Sequence, residues 1–260
     1  MTEPGSAGEK LAEGTLISHL IELRERIVKA FIGVLIVFVP LAFFARKIFT
    51  LVAQPLVEKL PAGATMIATT PAGTFLTPFK LSFFVAVFIA MPWILYQVWA
   101  FVAPGLYQSE KRFAVPLLVS SIVLFYAGVA FAYFVVFPLM FGFFAAVTPE
   151  GVEMMTDIGA YLDFVLALFF SFGLAFEIPI ATVLLIATGI ARIETLRKQR
   201  LYVLLGCFVI GMVLTPPDIF SQTLLAVPMY LLYEGGLLLS SILLRDKLAQ
   251  QAREEEHASQ

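Results

Sequence analysis

Glu177 places a carboxylate inside the stretch LAFEIPIA, which is otherwise suited to lipid. An ionised side chain at bilayer depth is costly, so we expect this acid to face the protein interior or a wet cavity. The chemistry open to it is proton relay, a counter-ion role or polar docking of a partner helix. A purely structural carboxyl, bonded to a Ser or Thr of a neighbouring span, is the alternative. Glu234, in the stretch LLYEGG, is a second acid of this kind and has no partner evident in the sequence.

Two acids and two bases are paired by spacing in the amino-terminal segment SHLIELRERIVKA. Glu22 stands four residues before Arg26, and Glu25 stands four residues before Lys29, which is the spacing of ion pairs on a helix. Leucine and isoleucine residues form a separate stripe at helical spacing. The segment predicts an amphipathic helix at the cytoplasmic surface ahead of the first membrane span. A solvated helix face with ordinary ion pairs is the alternative.

The connection WAFVAPGLYQSEKRFAVP contains a single acid, Glu110. Its short length and the pair Pro104-Gly105 favour a rigid loop, which suits a recognition surface. An ordinary belt of interfacial aromatic residues explains its aromatic content equally well.

Three other charged residues are expected to have structural roles. Lys80 lies near one end of an apolar run, so its ammonium group is expected to extend to the membrane interface. Asp163 lies near the start of a later apolar run, residues 161–188, where an acid favours a helix amino terminus. Asp218 follows the double proline of LTPPDIF and is placed to cap a helix.

The composition identifies the class of protein that carries these residues. The chain has 260 residues, of which 60% are hydrophobic and 14% charged, and its mean hydropathy is +0.92. These values predict a membrane protein. The net charge is −2 and no basic face is evident, which argues against nucleic-acid binding. Cys207, the single cysteine, lies in an apolar segment and is expected to be a small core residue.

Six apolar runs are candidates for membrane spans, because about 20 residues cross roughly 30 Å of hydrocarbon. The fifth run has about 14 residues and covers only about 21 Å as a helix, and Pro228 and Gly235-Gly236 interrupt the sixth. We therefore expect an all-α membrane protein with six transmembrane helices, of which the last two are short. The expected spans are 27–45, 75–101, 114–138, 161–188, 201–214 and 224–244, within a membrane domain of residues 15–244 that is flanked by cytoplasmic tails at 1–14 and 245–260.

Orientation follows from the basic residues near the span ends, which concentrate in the amino-terminal segment, the 2–3 and 4–5 connections and the tail. This distribution predicts that both termini are cytoplasmic. The first residues show no pattern of a signal or transit peptide, so a bacterial inner membrane is the expected location.

Two other functions remain open on the residues alone. A proton-coupled small-solute transporter would use Glu177 and Glu234 as proton carriers, but the two halves of the chain show none of the related broken helices typical of such transporters. A passive scaffold would tolerate charge changes at Glu22 and Glu110.

Motifs along the chain resemble the TatC family, the multi-spanning subunit of the twin-arginine protein translocase. The resemblance is collinear from about Ser18 to Glu234. It is carried by SHLIELRERI, QPLVEKLP with TMIAT, PWILYQVWAFVAPGLYQSEKR, FAYFVVFPLMFGFF, FEIPI and LTPPDIFSQTLLAVPMYLLYE.

The resemblance implies a receptor and translocase core that is not an enzyme and uses no cofactor or metal. Members recognise signal peptides with two adjacent arginines, and recruit single-span TatA- and TatB-type partners to move folded proteins with the proton-motive force. The resemblance also implies a concave arrangement of the spans, and we expect several copies of the chain in a larger complex.

The resemblance also implies which residues carry these functions. It assigns signal-peptide binding to Glu22, Arg24, Phe101, Pro104 and Glu110. Partner docking within the membrane is expected at Glu177 and Gln222, and Pro55 and Asp218 match other functional positions. The chemistry is consistent, because an arginine guanidinium pairs with a carboxylate through two parallel hydrogen bonds and lysine does not.

Overall fold

The structure, a computed structural model, describes residues 5–57, 65–102, 114–149, 155–214 and 219–244. Helices make up nearly all of these residues. A π-helical turn, Ala132–Val136, joins the helix that ends at Phe131 to the helix that begins at Phe137. Two short strands, β1 (Thr65–Ile67) and β2 (Met155–Asp157), pair in parallel. The helices are α1 Gly5–Phe43, α2 Ala45–Val57, α3 Pro71–Val102, α4 Ala114–Phe131, α5 Phe137–Val147, α6 Ile158–Ala175, α7 Ile178–Ala187, α8 Ile193–Lys198, α9 Arg200–Leu214 and α10 Ile219–Leu243.

The expected helical membrane fold is confirmed. Within the described ranges, five helical stretches are long and apolar enough to cross a membrane, and a sixth, Arg200–Val213, is apolar but shorter. The short helix corresponds to the fifth run of the sequence, as expected. The expectation that the sixth helix is also short is wrong, because Ile219–Leu243 forms one helix of 25 residues that continues through Pro228 and Gly235-Gly236. The five long stretches are Ser18–Phe43, Pro71–Val102, Val115–Phe144, Ile158–Ala187 and Gln222–Leu243.

The amphipathic segment around Glu22 is not a separate helix. Helix α1 runs without a break from Gly5 to Phe43, so the charged segment and the first candidate span form one rod. Residues 15–32 contain neither glycine nor proline, so nothing in this part of the sequence ends the helix. The position of Glu22 is therefore fixed relative to the membrane-spanning part of α1.

The largest buried cluster lies where the α4–α5 helix packs against α6. Phe125, Phe137 and Phe172 are fully buried there or beside it, and the rings meet mostly at tilted or edge-to-face angles. The π-helical turn directs both Ala132 and Val136 into this core. This packing provides a rigid wall against which the other helices are placed.

Helices α6 and α7 are separated by a break at Phe176 and Glu177. Pro179 occupies the first turn of α7, where its missing N–H costs no hydrogen bond. Because a proline has no N–H to donate to the preceding turn, Pro179 accounts for the break between the two helices. Helix α7 then packs closely on α10, where Gly236 lies against Pro179 and Thr182.

Asp157 lies at the end of the molecule where β1 and β2 pair, and it connects the segment after β1 to the start of α6. Its carboxylate accepts hydrogen bonds from the Thr69 N–H at 2.9 Å, the Thr69 hydroxyl at 2.6 Å, and the Gly159 and Ala160 N–H groups at 2.9 and 3.0 Å. These donors, the Thr69 hydroxyl first, lower the pKa of Asp157 to about 2. Asp157 is thus the cap of α6, a role that the sequence suggested for Asp163.

Asp163 instead forms an ion pair with Lys80 of α3. Both side chains are about half exposed. The expectation that Lys80 simply extends to the interface is therefore incomplete, because its ammonium group also has a carboxylate partner. The pair joins α3 to α6 near the same end of the molecule as Asp157.

Candidate functional site

Residues 19–29 in the middle of α1 and the carboxyl-terminal third of α3 meet in an antiparallel contact, here called the α1–α3 seam. Trp93, Gln97 and Phe101 lie four residues apart and therefore on one face of α3. The His19 ring stacks on the Phe101 ring, with centroids 4.3 Å apart and planes 18° apart. Further along, the Trp93 Nε1–H donates to the Lys29 carbonyl at 3.0 Å.

Glu22 is held at the centre of this seam. Its Oε1 lies 3.4 Å from Arg26 Nη2, and Arg26 Nη1 donates at 3.3 Å to Oε1 of Gln97, which is buried. The Glu22 side chain is 34% exposed. The seam therefore presents a carboxylate that is oriented by α3 and still reachable from water.

Glu25 and Lys29 form the comparable side-chain pair, which has no described side-chain hydrogen bond to α3, although the Lys29 backbone carbonyl belongs to the seam. Their charged atoms lie 3.6 Å apart, and both side chains are more than half exposed. This pair fits the alternative of an ordinary solvated ion pair. Glu22 and Arg26 do not fit this alternative, because the hydrogen bond from Arg26 to Gln97 connects them to α3.

The other residues expected at the recognition site are described only in part. Arg24 is exposed on α1, and Phe101 is half-buried beneath His19. Pro104 and Glu110 lie outside the described residues. The assignment of Pro104 and Glu110 to signal-peptide binding therefore stays a prediction.

Glu177 lies at the break between α6 and α7, where it is half-buried. Its Oε1 is buried and has no hydrogen-bond partner within the described part of the chain. The Ser121 hydroxyl of α4 interacts with this carboxyl, and it also accepts a hydrogen bond from Trp99 Nε1 at 3.2 Å. The serine foreseen for a structural carboxyl is thus present, yet it leaves one carboxyl oxygen unsatisfied.

An unsatisfied buried oxygen is uncommon in a folded protein, because it loses its hydrogen bonds to water and gains none in return. A polar group on a second molecule would satisfy it. Trp99 lies on α3, Ser121 on α4 and Glu177 at the break between α6 and α7. The position of Glu177 Oε1 is therefore set by how these segments pack together. Ser121 thus fits a structural carboxyl, whereas the unsatisfied Oε1 fits polar docking.

Glu234 has partners that the sequence did not reveal. Its Oε2 lies 2.8 Å from Arg200 Nη2, and its Oε1 accepts a hydrogen bond from the Tyr230 hydroxyl at 2.8 Å. No partner of Glu234 was evident in the sequence, and the structure shows two. Glu234 of α10 pairs with Arg200 of α9, so it fits a structural ion pair that joins the two helices and not a proton carrier.

The remaining candidate positions lie on other elements. Pro55 is near the carboxyl end of α2, and Asp218 lies outside the described residues. Gln222 is half-buried in the first turns of α10, and Gly211 of α9 approaches its backbone. The structure does not bring Gln222 into contact with Glu177 through any described hydrogen bond. In the ranges that the structure describes, no group of three or more His, Cys, Asp or Glu residues is arranged to hold a metal ion.

Sequence reasoning missed several seam residues. Gln97 and Trp93 were not singled out, although their spacing of four from Phe101 could have indicated a shared face. Sequence reasoning also gave His19 no place in this contact. Ser121 and Arg200 carry no local signal, because their partners lie on other helices.

Comparison with known proteins gives one family. The family model described as "Sec-independent protein translocase protein (TatC)" matches residues 18–228. A protein of that name from Azotobacter chroococcum mcd 1 is 64% identical over 221 residues, covering 85% of this chain and 87% of the relative. One from Escherichia coli (strain K12) is 59% identical over 225 residues, covering 86% of this chain and 87% of the relative.

A solved structure shows the same fold. A crystal structure of the twin arginine translocase receptor TatC superposes with a TM-score of 0.77 at 37% identity, covering 86% of this chain and 98% of that one. The helical membrane fold, the family match and the identities agree over nearly the same residues. This chain therefore belongs to the TatC family and is a membrane-embedded subunit of the Sec-independent, twin-arginine protein translocase.

Proposed function

We propose that this chain is the receptor and core subunit of the translocase, and that Glu22 on the α1–α3 seam binds an arginine of a twin-arginine signal peptide. The observation that carries the proposal is the carboxylate of Glu22, which is partly exposed and oriented by the Arg26–Gln97 contact. Receptor function is supported further by the similarity to a protein described as a twin arginine translocase receptor.

The contact between Glu22 and Arg26 suits replacement by an incoming arginine. Its 3.4 Å separation is longer than the 2.7–2.9 Å of a strong charge-assisted hydrogen bond. Arg26 also has Gln97 as a second partner, so it keeps a hydrogen bond when Glu22 turns to the peptide. The peptide guanidinium then forms two parallel hydrogen bonds with Glu22, which a lysine ammonium cannot form.

The second arginine of the peptide is assigned to Glu110, as the family resemblance implies. Phe101, stacked beneath His19, offers an apolar surface beside Glu22, and Arg24 and Pro104 complete the proposed binding surface. Arg24 repels a peptide whose arginines are out of register, because like charges at close range are unfavourable.

Glu177 is proposed to dock a polar side chain of a single-span TatA- or TatB-type partner, or of the apolar part of a signal peptide. Its unsatisfied Oε1 supports this role. Gln222 on α10 is proposed as a second docking position, and Pro55 and Asp218 as further functional positions on α2 and in the 5–6 connection. The energy source is proposed to be the proton-motive force, with docking and not proton conduction as the task of Glu177.

The proposed setting is the bacterial inner membrane, with both termini cytoplasmic and six spans forming a concave wall. The basic residues at the span ends support this orientation. We also propose that several copies of the chain assemble in one complex.

The test is site-specific photocrosslinking of a twin-arginine signal peptide to the full-length protein in membranes. Glu22→Gln keeps the shape of the side chain and removes its charge, so we expect peptide affinity to fall roughly tenfold, since hydrogen bonds to charged groups contribute about 1.5–3 kcal/mol. Glu25→Gln is the matched control and should leave affinity unchanged. The proposal is wrong if the two variants behave alike, or if a peptide with both arginines replaced by lysines binds the unmodified protein as tightly.

A further inference from the structure

A cavity of about 850 Å³ opens at the end of α1 opposite Glu22, between α1, α2 and the amino-terminal part of α3. Its wall is mostly apolar and includes Phe43, Phe44, Phe75 and Phe79. Phe43 is 83% exposed and Phe75 is 62% exposed. In a membrane-spanning chain such side chains suit contact with lipid hydrocarbon, and the cavity between them suits an apolar group.

Two cations line the same cavity. Arg46 and Lys47, in the first turn of α2, are both exposed, and the Lys47 ammonium group lies 5.9 Å from the centre of the Phe44 ring. Their position at the mouth of an apolar cavity predicts a ligand with an anionic group at one end.

The described carboxylates at this end of the molecule are already engaged. Asp157 accepts four hydrogen bonds at the start of α6, and Asp163 pairs with Lys80. Neither Arg46 nor Lys47 forms an ion pair with a residue in the described ranges. Their charges are therefore available to a ligand.

We propose that this cavity binds an anionic phospholipid. One acyl chain lies among the phenylalanine rings, and the phosphate is bound by Arg46 and Lys47. Arginine and lysine both pair well with phosphate, and basic pockets beside membrane helices select anionic headgroups. With the amino terminus in the cytoplasm, the lipid belongs to the outer leaflet.

The size of the cavity favours a lipid over a partner helix. A 20-residue helix, about 30 Å long and 10–12 Å wide, fills roughly 2,500 Å³. The cavity has about a third of that volume and lies within the range of pockets for small ligands, roughly 300–1,000 Å³. A single acyl chain fits inside this space, whereas a helix could only lie across its mouth.

The experiment uses the purified full-length protein in neutral detergent micelles and a phosphatidylglycerol that carries a diazirine near the end of one acyl chain. Illumination should label residues 43–49 and 74–79. Unlabelled phosphatidylglycerol should compete with this labelling at a concentration roughly 20-fold lower than phosphatidylcholine of the same acyl chains, since each basic residue contributes about fivefold.

Two sets of variants decide the role of the charges and of the cavity. Arg46→Gln with Lys47→Gln should reduce the competition ratio to within about twofold of one, whereas Arg197→Gln with Lys198→Gln, an adjacent pair of exposed bases on α8, should leave it unchanged. Ala42→Trp, which fills the cavity without changing charge, should abolish labelling.

Four outcomes would overturn the proposal: equal competition by the two lipids, an unchanged ratio after loss of Arg46 and Lys47, an equal effect of the α8 pair, or full labelling of Ala42→Trp. A photocrosslinker placed at Phe75 that captures a partner subunit in membranes, in preference to lipid, would show that a protein occupies the site instead.

Discussion

The guanidinium of Arg26 lies 3.3 Å from the side-chain carbonyl oxygen of Gln97, a residue 71 positions away in the sequence. The contact joins α1 to α3 and leaves Arg26 only loosely paired with Glu22. The strength of the contact with Gln97 therefore controls how readily Glu22 can pair with an external arginine.

Changing Gln97 should shift peptide binding in a direction set by the new side chain. Gln97→Leu removes the second partner of Arg26, so Arg26 pairs more firmly with Glu22 and peptide affinity falls about fivefold, which corresponds to about 1 kcal/mol. Gln97→Glu gives Arg26 a charged partner and should leave affinity equal or higher. Fluorescence anisotropy of a labelled signal peptide measures both. The exchange of partners is refuted if both variants weaken binding equally while their melting temperatures match that of the parent.

Glu177→Gln should lower transport and partner crosslinking together. The variant keeps the size of the side chain and changes the polar group that faces the docking position. A photocrosslinker at Leu174, which is exposed one turn before Glu177, reports partner contact, and export of a folded reporter measures transport. Glu194→Gln, in the exposed first turn of α8, is the control. Transport lost with crosslinking intact would argue for a role other than docking.

Gly236→Ala and Gly235→Ala should have opposite effects on stability. A methyl group at Gly236 would lie 2.8 Å from Cα of Pro179 and 3.0 Å from Cβ of Thr182, so we expect a loss of about 1–3 kcal/mol. A methyl group at Gly235 meets no atom within 4 Å, so we expect a gain of up to about 1 kcal/mol from helix propensity. Denaturation in detergent micelles measures both. Equal effects would show that α7 and α10 are not in close contact.

Asp157 should make stability depend on pH in the acid range. Its pKa is lowered to about 2 in the folded protein, below the usual value near 3.8, so the folded state favours the ionised form. The stabilisation is complete well above pH 4 and is lost as pH falls from about 4 towards 2. The difference in melting temperature between the parent and Asp157→Asn should therefore shrink between pH 6 and pH 3. A difference that stays constant over this range would contradict the assigned hydrogen bonds.

Glu234→Gln should leave transport within about twofold of the parent. The ion pair with Arg200 is partly exposed, and such pairs contribute about 0–1 kcal/mol to stability. Export of a folded reporter and the melting temperature check this expectation. Loss of export with normal stability and normal peptide binding would identify Glu234 as an acid with a direct role in transport.

The membrane fold could be predicted from the sequence because each span is a continuous run of apolar residues. Glu177 was also visible, since it is a charge inside such a run, and the break beside it followed from Pro179. The continuity of α1 was predictable in principle, from the lack of glycine and proline over residues 15–32.

Partners on other helices could not be read from the sequence. Glu234 and Arg200 are 34 residues apart, and Arg26 and Gln97 are 71 residues apart. Their proximity depends on how the helices pack, and no local pattern encodes that packing. Asp163 was assigned to a helix start because its position in the run allowed it, whereas Asp157 took that role because Thr69 supplies two further donors.

The parallel pairing of β1 with β2 sets an order of assembly. Thr65–Ile67 precedes the second long apolar helix, whereas Met155–Asp157 follows the third. The first strand cannot find its partner until two more helices have entered the membrane and the ribosome has delivered about ninety further residues. The strands can pair only if both emerge on the same side of the membrane, which requires the two intervening helices to cross it in opposite directions.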